Sequence, residues 1–258
     1  MTKLEIVSLS EKGLVRTHNE DAIRIDRSSG LILLADGMGG EKAGEVASRM
    51  AVDSVAGYIH SKSRSIKVRF TGKKPPITAM NCYMELVEEA IEFANTCVYQ
   101  RSISDPQCRG MGTTLVAGLF KFGYLVVGHI GDSRLYRFRN GNLKQLTSDH
   151  SYVQELVDKG QLSRQEAEES LHRNIITRAV GSESEEVVDL ATHGVEKGDV
   201  YLFCSDGLTD LVPDREIREI LTNTTGGLAT SLENLTEKAH KAGGDDNISI
   251  ILIRTVTV

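Results

Sequence analysis

Four aspartates sit where an apolar run meets a polar turn. Asp36 ends the run in "LILLADGMGG", Asp206 follows "VYLFCS", Asp132 follows "LVVGHIG", and Asp246 stands just ahead of "ISIILI". Burying one charge without a partner is expensive, so four such positions make sense if the strand ends converge on something positive. No matching set of Arg or Lys accompanies them. His and Cys show no ligand spacing along the chain, which makes zinc a poor candidate. Carboxylates with backbone carbonyls and water suit hard cations, Mg²⁺ or Mn²⁺. Gly37, lacking a side chain, can present its carbonyl to an ion beside Asp36. A single Asp-Gly is an ordinary turn; the recurrence is what points to metal. "VRTHNEDA" adds Arg16, Glu20 and Asp21, one fixed cation and two more carboxylates. A guanidinium matches a phosphate oxyanion in bidentate geometry.

These residues need elements to hold them. "LEIVSL" and "AIRID" pattern as strands, and "LILLA" is apolar throughout, as in a strand buried on both faces. The period then changes: Ala43, Val46, Ala47, Met50, Ala51, Val55 and Ile59 step by three and four, which predicts an amphipathic helix. A second helix is predicted over about 79–100. Strands return in "TTLVAGLF", "YLVVGHI", "RLYRFR" and "NLKQL", with turns at "KFG" and "NGN". Residues 151–180 are polar and predict short helices, with capping-box spacing at Ser163 and Glu166. Strands "VVDLA" and "VYLFC" follow. Pro213 is expected in the first turn of a short helix. A last helix over about 227–241 should stop at Gly243-Gly244, before the strand "ISIILIR". Hairpins dominate and regular βαβ alternation is missing, so the expected class is α+β, antiparallel sheets with helices packed outside.

The 258 residues show no obvious linker, and a single domain is expected. The net charge of −6 disfavours a nucleic-acid partner. It leaves room for a phosphate-bearing substrate whose charge is met locally by metal. The longest apolar runs are strand-sized, and "MTKLEIVSLSEKG" lacks the apolar core of a signal peptide, so neither a membrane partner nor export is expected. Cys82, Cys97, Cys108 and Cys204 are scattered without C-x-x-C pairing and read as reduced thiols of a cytoplasmic protein. Cys204 adjoins Ser-Asp-Gly, but it lies in an apolar strand with no His near it in sequence and is a poor nucleophile candidate. The segment 60–76 carries six Lys/Arg and no acid. It reads as a solvated basic loop between two helices, with a docking surface for an acidic or phosphorylated partner as the minority reading.

Seven pieces, in order, resemble the metal-dependent protein phosphatases of type 2C, the PPM family, in its compact bacterial form. They are "GLVRTHNEDA", "ADGMGGEKAGEVAS", "MGTTLVAG", "GHIGDSRLYRF", "LTSDHS", "LFCSDGLTD" and "GGDDNIS", spanning residue 13 to about 249. The resemblance implies a four-layer α-β-β-α sandwich, two central antiparallel sheets flanked by helix pairs. It implies one catalytic domain over 1–258, with a basic insertion at about 60–78 and a variable flap at about 151–180. Asp36 would bridge two ions, with Gly37 and Glu20 on one of them and Asp206 and Asp246 on the other. The family places its ligand immediately before Asn, which selects Asp246 over Asp245. Asp21 would orient metal-bound water, and Arg16 would bind the phosphate. Asp132 and the shared Asp206 would hold a third, weaker ion.

The activity implied is metal-dependent hydrolysis of phosphoserine and phosphothreonine, by a metal-bridging hydroxide, in proteins phosphorylated by Ser/Thr kinases. The implied cofactors are two Mn²⁺ or Mg²⁺ ions with a possible third, and a monomer is expected. The alternatives are a phosphatase dedicated to one regulatory partner of the anti-sigma-antagonist type, and a catalytically idle phosphoprotein-binding domain. The sequence departs from the family pattern at Glu41 and Met38, where family members commonly carry a His. His150 and His172 read as surface histidines, with proton donation as the alternative.

Overall fold

The structure is a computed structural model that describes residues 3–39, 43–66, 75–223 and 226–257. Among these, the chain runs β1 (Lys3–Glu11), β2 (Ala22–Asp26), β3 (Leu31–Ala35), β4 (Gly37–Met38) and α1 (Ala43–Lys62). Next come α2 (Asn81–Ser104), β5 (Gly112–Thr113), β6 (Leu115–Lys121), β7 (Tyr124–Ile130), β8 (Arg134–Arg139) and β9 (Asn142–Gln145). Then follow α3 (Tyr152–Asp158), α4 (Arg164–Glu168), β10 (Asp189–Gly194), β11 (Val200–Cys204), α5 (Asp206–Thr209), α6 (Asp214–Thr222), α7 (Gly227–Lys241) and β12 (Ile248–Thr257).

Two five-stranded antiparallel sheets form the centre, ordered β1-β12-β11-β8-β9 and β10-β7-β6-β3-β2. The alternation within β3 shows why its run is apolar throughout. Leu31, Leu33 and Ala35 pack with the buried stripes of α1 and α2. Ile32 and Leu34 point the other way, into a core shared with Tyr201, Phe203, Ile251 and Ile253 of the facing sheet. The outer face of that second sheet packs Leu202, Ile250 and Leu252 against Ile217, Leu221, Leu228 and Leu235 of α6 and α7. Four layers result, helix pair, sheet, sheet, helix pair, as the resemblance implies. Phe203 reaches across the sheets to the bare backbone of Gly118, where a Cβ would lie 2.6 Å from its Cζ.

Several local expectations hold. The turns at "KFG" and "NGN" put Phe122, Gly123, Asn140 and Gly141 at positive φ, which suits tight hairpins. The Ser163–Glu166 capping box forms at α4, with Ser163 Oγ accepting from the Glu166 amide and the Glu166 carboxylate from the Ser163 amide. Others are corrected. Pro213 occupies the N-cap of α6 in an extended conformation rather than the first turn, because the helical backbone begins only at Asp214. The strand expected at "VVDLA" starts two residues later, at Asp189. Its partner β7 sets that register, pairing Asp189 with His129. The expected basic loop does not begin at His60: α1 continues to Lys62, and Ser63–Ser65 add a 3₁₀ turn. Its basic centre, 67–74, lies outside the described residues, as does Glu41. Among the described residues no helix is long and apolar enough to cross a membrane.

Candidate active site

The carboxylates meet at one end of the sandwich. Asp36 leaves the end of β3 and is held by its backbone from three directions. Its amide donates to Thr114 Oγ1 at 2.9 Å, and its carbonyl accepts from the Thr114 amide at 2.8 Å and Thr113 Oγ1 at 2.7 Å. Thr114 Oγ1 also contacts Ser133 Oγ at 2.7 Å, which ties Asp36 to the turn carrying Asp132. Asp206 opens α5 directly after β11, so the two sheets each deliver a carboxylate to the same cleft.

Electrostatics brings the group together. Burial pushes the Asp36 carboxyl well above its ordinary range, and the charges of Asp21, Asp206 and Asp132 push it further. Asp206 is raised well above its range by burial, then by Asp132, Asp210 and Asp246. Burial raises Asp21 to about 6, although hydrogen bonds from Ser249 and Ser205 favour its charged form. Burial raises Asp132 to about 7, with Asp149 adding repulsion. Asp36 in turn favours the charged forms of Asp21 and Asp206. Asp21 Oδ1 and Asp206 Oδ1 are buried with no hydrogen-bond partner. Mutually repelling carboxylates with orphaned oxygens are the donor set a hard divalent cation fits.

The Glu20 side of the site is built on absent side chains. A Cβ on Gly44, in the first turn of α1, would lie 2.3 Å from Glu20 Oε2 and 2.8 Å from the Gly37 carbonyl oxygen. The carboxylate and the carbonyl therefore converge on one point that only glycine leaves open. Gly37 is equally constrained, since its Cβ would fall 2.1 Å from the Gly44 oxygen and 2.6 Å from the Glu20 oxygen. Ser48 Oγ of α1 donates to the Glu20 carbonyl at 2.5 Å. Burial raises the Glu20 carboxyl, and the Arg16 charge partly counters it.

The irregular 12–21 segment is tied down by the far end of the chain. Asn247 Oδ1 accepts from the Glu20 amide at 2.7 Å, and Asn247 Nδ2 donates to the carbonyls of His18 at 2.8 Å and Lys12 at 3.2 Å. Gly13 is at φ +68° with a Cβ position only 2.1 Å from the Asp246 oxygen, so no other residue fits there. Ser205 Oγ donates to Asp21 Oδ2 at 2.9 Å. Arg16 reaches Asp246 Oδ2 at 2.7 Å with its guanidinium largely exposed at the rim. Asp245 is exposed and stands apart from these contacts.

All eight residues singled out in the sequence thus lie in one region. Sequence reasoning missed the groups that hold them: Thr114, Ser133, Ser205 and Asn247, together with the further acids Asp149 and Asp210. Asp149 is locked by Arg134, whose Nε lies 3.0 and 2.9 Å from the two carboxylate oxygens. Asp210 faces the 151–180 segment, pairing with Arg173 Nε at 3.7 Å. Each lies inside a quoted motif, and Asp210 follows Asp206 by one helical turn, a spacing that could have flagged it.

The histidines divide. His172 is exposed against the edge of Tyr152. His150 is buried, which corrects the surface reading, and stacks on His129 with ring centroids 4.7 Å apart. Among the described residues, donor atoms of His129, His150 and Asp189 lie within 4.8 Å of one another. His150 Nδ1 accepts from the Gly131 amide at 3.0 Å, so the ring proton sits on Nε2, facing Asp189 Oδ2 at 3.5 Å. A neutral imidazole with its lone pair engaged is no metal ligand, and this trio braces β7, β10 and the base of the 151–180 segment. Cys204 is fully buried, and burial pushes its thiol far up, so it is no nucleophile.

A family model described as protein phosphatase 2C matches residues 15–242. Protein phosphatase PhpP of Streptococcus pneumoniae is 38% identical over 254 residues, covering 97% of each chain. The crystal structure of the serine/threonine phosphatase PstP/Ppp of Mycobacterium tuberculosis superposes with a TM-score of 0.84 at 35% identity, over 98% of this chain and 99% of that one. A structure of the PstP catalytic domain, TM-score 0.81 at 35% identity over the same shares, contains two manganese ions. The chain belongs to the type 2C, or PPM, family of metal-dependent serine/threonine protein phosphatases.

Proposed function

We propose that this chain removes phosphate from phosphoserine and phosphothreonine in proteins, using two Mn²⁺ or Mg²⁺ ions held by Glu20, Asp36, the Gly37 carbonyl, Asp206 and Asp246. The observation that carries this reading is the convergence of raised carboxylates with orphaned oxygens on one cleft. Bound there, the ions supply Lewis-acid charge and a water of lowered pKa. Asp21, anchored by Ser205, accepts a proton or orients a water beside Asp36. Arg16, exposed at the rim, swings between Asp246 and a phosphoryl oxygen and fixes the ester in register. Asp132, with Asp206, is the place for a third, weaker ion. The 151–180 segment flanks the acids through Arg173 and bears on which proteins are accepted. Targets are the products of Ser/Thr kinases.

Phosphate release from a phosphothreonine peptide tests this. Turnover is expected with Mn²⁺ or Mg²⁺, falling at least about 100-fold under chelation. Equal turnover in chelator would sink the reading.

Asn247→Leu has a separate expected result. It strands the Glu20 amide and two carbonyls, at a cost of about 1–3 kcal/mol for each group left unpaired. The Mn²⁺ concentration for half-maximal activity should rise several-fold as Glu20 loosens. An unchanged Mn²⁺ requirement would show that Asn247 does not position Glu20.

A further inference from the structure

Beside the catalytic cleft lies a cavity of about 410 Å³ that the chemistry above leaves unused. Met38, Met111, Ile103 and Tyr99 line it with Ser102 and Ser182, and Arg109 also borders it. β4 links it to the site: Met38 follows Gly37 and pairs with Gly112 of β5. Gly112 contributes no side chain, so the Met38 Cγ and the Ala179 Cβ close the floor 3.8 Å from where a Cβ would be. Ile103 is 59% exposed although it lines the cavity. Arg109 is exposed and makes no hydrogen bond or ion pair among the described residues, whereas Arg101 nearby is paired with Asp105 at 2.7 Å.

We infer that this cavity is a subsite for an acidic side chain of the phosphoprotein, a glutamate or aspartate within four residues of the phosphorylated one. The inference rests on the phosphatase reading above. Charge complementarity selects the occupant. A guanidinium with no partner among the described residues, beside walls that include Met38, Met111 and Ile103, takes a carboxylate while the aliphatic stem lies against the walls. Methionine walls adapt to stems of different length. The step from Gly37 to Met38 along β4 sets the reach, since four extended residues span about 13 Å. The chain as a whole is acidic, with net charge −6, so a cation here gives local rather than general attraction.

The test uses the full chain with Mn²⁺, and phosphothreonine peptides carrying Glu, Ala or Lys in turn at each of the four positions on either side. p-Nitrophenyl phosphate, too small to span to the cavity, is the control. At one position Glu should raise kcat/KM over Ala at least tenfold, through KM. Arg109→Gln should erase that preference, and Arg109→Glu should reverse it in favour of Lys. p-Nitrophenyl phosphate turnover should stay within twofold for both variants, with unchanged circular dichroism. A flat position scan overturns the subsite, and so does an Arg109→Glu effect that is equal on peptides and p-nitrophenyl phosphate. Absence of any turnover by the wild type, control included, would instead overturn the phosphatase reading and the subsite with it.

Discussion

Asp36→Asn and Asp206→Asn should each cut phosphate release on the order of a thousandfold or more while making the metal-free protein more stable. The loss follows from removing a charged oxygen donor from the ions, which are worth several kcal/mol of barrier, and each 1.36 kcal/mol is a factor of ten. The gain follows from the same charge. Burial and the neighbouring Asp21, Asp132 and Asp206 all disfavour ionised Asp36. A neutral amide of nearly the same shape relieves that repulsion. A relief of about 1–2 kcal/mol corresponds to roughly 2–8 °C in a chain of this size. Activity assays at saturating Mn²⁺ paired with thermal melts in chelator test both halves. A variant that is inactive and also less stable without metal would mean that Asp36 serves the fold and not a cation.

The metal-free protein should lose stability as pH rises from 6.5 to 8, and added Mn²⁺ should restore more of it at the higher pH. Asp132 is raised to about 7, and Asp36 and Asp206 well above the ordinary range. An acid raised in the fold contributes stability that is complete below its unfolded value and is lost as pH climbs through its folded value. Asp21, at about 6, has the same sign at lower pH. His150 has the opposite one there, because burial lowers it to about 4 and its contribution grows up to the ordinary histidine range. Above the ordinary histidine range the His150 contribution levels off and that of the raised acids remains. Each group that titrates across one full unit removes about 1.4 kcal/mol. Cation at 100 times its Kd returns about 2.7 kcal/mol. Melts with and without Mn²⁺ across this range decide the matter. A metal-free melting temperature that rises from pH 6.5 to 8 would contradict the clustering of raised acids.

Much of the architecture was legible because it is periodic. The stripe of α1, the doubly buried β3 and the capping box of α4 are local signals of backbone and burial. The start of β10 was not, because its register is set by β7, 60 residues earlier at the Asp189–His129 pair. The eight residues picked for chemistry share a region because carboxylates at strand ends mark themselves. Their supports do not. Asn247 works by reaching a backbone amide 227 positions away, and Thr114 by clamping one 78 positions away. Small polar residues of this kind look like turn chemistry until the partner is known. His150 misled for a similar reason: a polar stretch suggested surface, while the ring stacks inward on β7.

The pairing of β1 with β12 brings the two margins of the site together. Arg16 meets Asp246 across 230 positions, and the Glu20 amide is held by Asn247 across 227. No fragment lacking either margin of the chain holds both halves of the cleft. A chain cut short before Asp246 lacks that carboxylate and the Asn247 clamp on the Glu20 amide.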